Sequence, residues 1–288
     1  MLESLVNPKR VEKGPWKMFF IGIVYASLSM ILVHLFFSND EVLSKGSGLF
    51  VVLFSVLFSM PFMYFLIKKE EEQDENLEGV FNVWQHHKNA IYAFMFLFLG
   101  FIVAFSLWNI IFHDSNLLNF QLQAYCQINS PTSIDDCVTK YSFGGDAVNG
   151  MTGNVTGMGR FLGILTNNIY VMIFTLIFSL IFGAGAIFIL AWNASVISAA
   201  VGVFAKYKIH EIPLGIARYM IHGVPEIAAY FITALAGGIL GVGIMRHGFK
   251  DKRFVHVLEN VIILILIAFL ILIIAGLIEV YFTPKIFA

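Results

Sequence analysis

Residues 161–204 read FLGILTNNIYVMIFTLIFSLIFGAGAIFILAWNASVISAAVGVF. The stretch is apolar throughout and far too long for one crossing of a bilayer, which takes about 20 residues. Gly183, Ala184 and Gly185 lie near its middle. A tight hairpin there divides it into two helices, Phe161–Phe182 and Ala186–Phe204, and the number of crossings on either side follows from that division. Treating the stretch as a single long tilted helix would give six crossings and reverse the C-terminal part.

Composition agrees with a membrane environment. Apolar residues make up 58% of the chain, charged residues 13%, and the mean hydropathy is +0.81, whereas a soluble domain carries about 25% charged residues. The formal net charge of −1 offers neither a basic excess for nucleic acid nor an acidic disordered tail. Partners are therefore expected in or beside the membrane: lipids, and other membrane or envelope proteins, with homo-oligomerisation left open and no cofactor expected.

Outward from the hairpin, further apolar runs occur at Trp16–Phe37, Leu49–Ile67, Ala90–Phe112, Pro225–Met245 and Val257–Tyr281. The first follows Lys9, Arg10 and Lys13 but is too long for a cleaved signal segment, so it reads as a retained helix. Pro61 is a candidate kink in the second helix, and Pro225 suits the first turn of the sixth. Between the second and third runs the chain holds Glu70, Glu71, Glu72, Asp74 and Glu75, then His86, His87 and Lys88. Lacking apolar periodicity, this segment is expected to be wet. The expected architecture is all-α: a polytopic transmembrane helical bundle of about seven crossings with an external Gly-rich loop.

Basic residues stay preferentially on the cytoplasmic side. An inside N-terminus puts Lys9, Arg10, Lys13, Lys68, Lys69, Lys88, Arg246, Lys250, Lys252 and Arg253 together there, and leaves loop 113–160 and the C-terminus external. Lys206, Lys208 and Arg218 run against the rule. Cys126 and Cys137, the only cysteines, lie in that loop, where an oxidising exterior favours a bridge over two free thiols. Asn154-Val155-Thr156 is an acceptor sequon on the same side. The loop's glycines form no phosphate-binding fingerprint, since no strand precedes them and no Gly-Lys-Ser/Thr closes them.

In this topology Asn167, Asn168, Arg218, His222, Glu226 and Glu279 fall at one depth near the outer face. Charged groups near lipid should face one another or a wet cavity, so these six form a candidate polar site. Its alternatives are inter-helix glue, acid–base or metal chemistry with His222 and Glu226 as candidate ligands, and translocation. Gly223 and Pro225 argue for a break in the helix between His222 and Glu226. Small residues spaced by four, at Ala194, Ser198 and Gly202 and at Gly237 and Gly241, suit close helix packing, a dimer face or a conduit wall. His210-Glu211 fails as a zincin motif, because Leu214 stands where the second histidine belongs, and no G-x-S-x-G elbow is present.

From about Met95 onward the order of features resembles the stage II sporulation protein M family of multi-pass membrane proteins. Carrying the resemblance are Asn167-Asn168 opening a crossing, the Gly183–Gly185 hairpin, Leu190 to Asn193, His222-Gly223 with Glu226 and its Ala-rich helix, and Ile278-Glu279 through Thr283-Pro284. The resemblance implies a five-helix core, taken as residues 90–288, with residues 1–89 a two-helix extension bearing an acidic cytoplasmic loop. It also implies a non-enzymatic scaffold that recruits envelope partners. A membrane-embedded hydrolase and a transporter or channel component with an outer polar site are the alternatives.

Overall fold

The computed structural model describes residues 14–74, 79–112, 117–129, 137–138, 157–182, 186–207, 212–248 and 251–286. Among the described residues there are seven long helices: α1 (Lys17–Phe37), α2 (Ser47–Asp74), α3 (Val80–Ile111), α5 (Gly157–Phe182), α6 (Ala186–Tyr207), α7 (Ile212–His247) and α8 (Lys252–Leu277). A short helix α4 (Asn119–Asn129) precedes α5, and the chain ends in a π-helical turn, Ile278–Phe282, followed by α9 (Thr283–Ile286). No strand occurs among the described residues. Six of the long helices are long and apolar enough to cross a membrane, and α6 holds a shorter apolar stretch, Ile187–Gly202. The protein is thus an all-α bundle in which the long apolar stretch of 161–204 yields two helices. The hairpin residues Gly183–Gly185 themselves lie outside the described residues, as do Lys9, Arg10, Lys13, His210, Glu211, the sequon at Asn154 and most of loop 113–160.

Helix α7 is the hub. In its apolar span 83% of the residues are buried, against 22% in α5, and it packs on α8, α5, α6, α3 and α2. Without water to drive association, helices in lipid gain from close van der Waals approach, and small residues permit it. A Cβ added at Gly237 would stand 2.7 Å from the Leu176 carbonyl oxygen, and one at Gly241 would collide with that of Leu180. The pair spaced by four therefore seats α7 directly on the α5 backbone. On α6, Ser198 donates to the Ile102 carbonyl of α3 at 3.1 Å, and Gly202 leaves room for the Asn109 side chain. The small residues of both helices thus mediate packing within one chain. At the other side of the bundle Gly22 of α1 and Gly100 of α3 cross so closely that a Cβ on Gly22 would meet the Leu97 carbonyl oxygen at 2.5 Å.

Several buried hydroxyl groups return to the helix that carries them, which satisfies them where no water is at hand. Ser29 donates to the Tyr25 carbonyl at 2.8 Å, Ser55 to Val51 at 2.8 Å, Ser59 to Ser55 at 2.7 Å and Thr233 to Ala229 at 2.8 Å.

Three boundaries differ from expectation. Helix α2 continues unbroken through Pro61 and the acidic run to Asp74, and α3 begins at Val80, ten residues before Ala90. The segment expected to be wet contributes buried groups instead: Glu70, Glu71 and His87 are 2%, 0% and 0% exposed. The reason is pairing, since Glu70 and Glu71 each meet a partner on another helix. Likewise α7 does not start at Pro225. It starts at Ile212 and carries Pro225 inside it, as membrane helices tolerate when neighbours satisfy the freed backbone.

Candidate functional site

Helices α5, α7 and the turn after α8 bring polar groups together near one end of the bundle. Asn168, buried on α5, donates from its side-chain amide to Glu226 Oε1 on α7 at 2.7 Å. Tyr230, one turn further along α7 and also buried, donates its hydroxyl to Asn168 Oδ1 at 2.9 Å. The asparagine is therefore a two-sided clamp: its N–H side holds the acid and its carbonyl side holds the phenol. Local sequence explains the alignment, because residues four apart on a helix lie on one face, so Glu226 and Tyr230 both reach α5.

Glu279 completes the group. Its charge acts on both Glu226 and Tyr230, and Arg160 in the first turn of α5 supplies an opposing charge to Glu279. It sits in the π-helical turn Ile278–Phe282, where the Thr283 backbone N–H reaches the Ile278 carbonyl and the Thr283 hydroxyl donates to the same oxygen at 3.1 Å. Such wide single turns insert a residue into a helix and re-aim its side chains, and they are frequent at functional sites. Beside Tyr230 runs a narrow crevice lined by Thr175, Ile189, Leu190, Asn193, Ile227 and Phe231.

Of the six residues singled out from sequence, Asn168, Glu226 and Glu279 converge. Asn167 does not: it is exposed on the outer face of α5. His222 is half-buried on the Glu226 face of α7, one turn earlier, and the helix between them is continuous rather than broken. Arg218 lies on the same helix, its side chain outside the described residues. Tyr230 was not foreseen. In an apolar helix an aromatic reads as core, although a buried phenol needs a hydrogen-bond partner, and its spacing from Glu226 was visible.

The loop cysteines Cys126 and Cys137 are joined by a disulfide with a Cα–Cα distance of 5.7 Å, and they pack with Leu122, Tyr125 and Val138.

Seven packed helices with a polar group enclosed among them define a multi-pass membrane protein. Residues 93–284, about two thirds of the chain, match the family described as Stage II sporulation protein M, and the chain belongs to that family. A curated relative, an uncharacterized protein of Methanocaldococcus jannaschii, is 31% identical over 130 residues, which cover 44% of this chain and 72% of the relative. No solved structure matches. Asn168, Glu226, Tyr230 and Glu279 all fall inside the family match, whereas Glu70, His86 and His87 precede it.

Proposed function

We propose that the protein binds a small cation, a proton or an alkali ion, at the Glu226–Glu279 pair and uses this site in transport across the membrane. The observation that supports this reading is the clamp on Glu226. Asn168, itself fixed by the Tyr230 hydroxyl, holds one carboxylate in place while a second carboxylate stands within electrostatic reach of it. Two like charges in a medium of low dielectric repel strongly, and a proton or bound cation between them relieves that repulsion. Ionisable groups inside a membrane span mark ion pathways and proton relays by default. The test is flux in proteoliposomes carrying an internal pH- or sodium-sensitive dye. Transport is expected in the parent protein and is expected to be lost in Glu226→Gln and Glu279→Gln. Dye signals equal to empty liposomes, or equal in all three proteins, would refute the reading.

A second reading, recruitment of membrane or envelope partners, is favoured by the outer face of α5. Tyr170, Ile173, Phe174, Ile177 and Ile181 are exposed along it, directly behind Asn168, and offer an apolar strip to another helix as readily as to lipid. Photocrosslinking from Ile177 should capture one protein reproducibly; capture of lipid alone would rule recruitment through this face out.

For orientation, the reading with an inside N-terminus draws support from the meeting of Arg246 with Glu71 and Glu72. That contact gathers the basic ends of α2, α3, α7 and α8 at one face, as the charge rule requires of the cytoplasmic side. A membrane-impermeant thiol reagent added to intact cells should label a Lys285→Cys variant and spare a Lys252→Cys variant; the reverse pattern inverts the topology.

A further inference from the structure

At the end of the bundle away from Glu226, α2 and α3 bring Glu70, His86 and His87 together. Glu70 Oε2 and His87 Nδ1 lie 2.7 Å apart, and the rings of His86 and His87 meet edge to face with centroids 5.1 Å apart. One donor atom from each of the three residues lies within 4.8 Å of the others. We infer that these residues bind a divalent transition-metal ion, zinc being the best match to two imidazoles and a carboxylate.

Four observations support this site. Its donors are two nitrogens and one oxygen, the set that three-ligand zinc sites use with water in the fourth position. Burial is graded: Glu70 and His87 are enclosed while His86 is half-exposed, which puts the entry path for an ion and its water on the His86 side. The electrostatics call for positive charge, because Glu70, Glu71 and Glu72 lie near the C-terminal end of α2, where the helix dipole is negative. Arg246 answers Glu71 at 2.5 Å and approaches Glu72 at 4.0 Å, whereas Glu70 is directed at the imidazole of His87. Finally, side-chain movement alone can form the site. Ligands on a tetrahedral ion with bonds of about 2.0 Å stand about 3.3 Å apart, so the Glu70–His87 contact at 2.7 Å opens by about half an ångström, while donor atoms as far apart as 4.8 Å close by up to about 1.5 Å as the ion enters.

The competing state is an imidazolium–carboxylate pair with no ion, and the experiment separates the two. Full-length protein in detergent is stripped with a chelator, equilibrated with zinc, desalted and analysed for metal; cobalt replaces zinc in a parallel sample read by visible absorption. One zinc per chain is expected, with cobalt bands typical of four-coordination. His86→Ala should weaken zinc binding at least about a hundredfold, since it removes a ligand rather than a supporting group, whose loss costs about 10–100-fold. Glu70→Gln, nearly the same shape, provides a second reading should the alanine variant fold poorly. His256→Ala, which removes an exposed histidine paired with Glu259 at 3.5 Å, should leave binding unchanged. Absence of stoichiometric zinc in the parent protein overturns the inference, as does equal affinity in the parent, His86→Ala and Glu70→Gln proteins.

Discussion

Arg246 Nη1 donates to Glu71 Oε2 at 2.5 Å, joining the end of α7 to the end of α2 across 175 residues of sequence. Glu71 is completely buried and Arg246 is 38% exposed, so the two ends of this ion pair are not equivalent. Truncating one partner of a buried charge pair costs mostly through the charge left behind. Arg246→Ala is therefore expected to destabilise the protein by about 2 kcal/mol or more, whereas Glu71→Gln, which leaves behind a cation that water can reach, should cost clearly less. Thermal unfolding in one detergent compares them; equal losses would mean that the carboxylate is not the stranded member.

The clamp around Asn168 makes an ordered set of predictions. Tyr230→Phe removes one hydrogen bond and should cost about 1 kcal/mol, while Asn168→Ala leaves both the Glu226 carboxylate and the Tyr230 hydroxyl without their partner and should cost about 2–3 kcal/mol. Because the two residues share a bond, the double variant should cost less than the sum. Strict additivity in the unfolding free energies would show that the phenol is not coupled to the amide.

Glycines in contact and glycines in open space should behave oppositely. Gly100→Ala drives a methyl group into the α1 backbone at the Phe19 carbonyl and should cost about 1–3 kcal/mol, as overpacking does. Gly163 of α5 has nothing within 4 Å of an added Cβ, so Gly163→Ala should be neutral or stabilise the helix by up to about 1 kcal/mol. The comparison is read as the difference in melting temperature between the two single variants; a larger loss for Gly163→Ala would contradict the crossing described for α1 and α3.

The disulfide should be visible by mass. Without reductant no cysteine is expected to react with an alkylating reagent, and after reduction both Cys126 and Cys137 should. A bridge spanning 11 residues constrains the loop by about 3 kcal/mol in the chain-entropy picture. Its loss should raise protease cutting near α4 and lower the melting temperature, because α4 packs on α2 and α6. Free thiols in the unreduced protein would remove the bridge from the native state.

The crossings were legible because lipid writes a strong signal: long apolar runs, broken at glycine-rich or charged turns, read directly as helices. Glu226 and Glu279 were legible for the converse reason, since a carboxylate within such a run is rare enough to stand out. What sequence concealed was where polar segments turn inward. Glu70, Glu71 and His87 carry no apolar periodicity, and their burial depends on Arg246 and on one another, partners that spacing along the chain does not disclose. Pro225 misled in a similar way: its local preference for a first turn yields to the packing of the surrounding helices, which holds α7 together from Ile212 onward. Asn167 and Asn168 looked equivalent side by side, but a helix turns about 100° per residue, so only one of them can face α7.

That proline leaves one rung out of the α7 ladder. Having no N–H, Pro225 donates nothing to the carbonyl of Ile221, and the missing rung sits immediately before Glu226. Bending the helix at this joint therefore has one backbone bond fewer to strain than bending it elsewhere along α7. The clamp from Asn168 thus grips α7 at the residue that directly follows the gap in its backbone ladder.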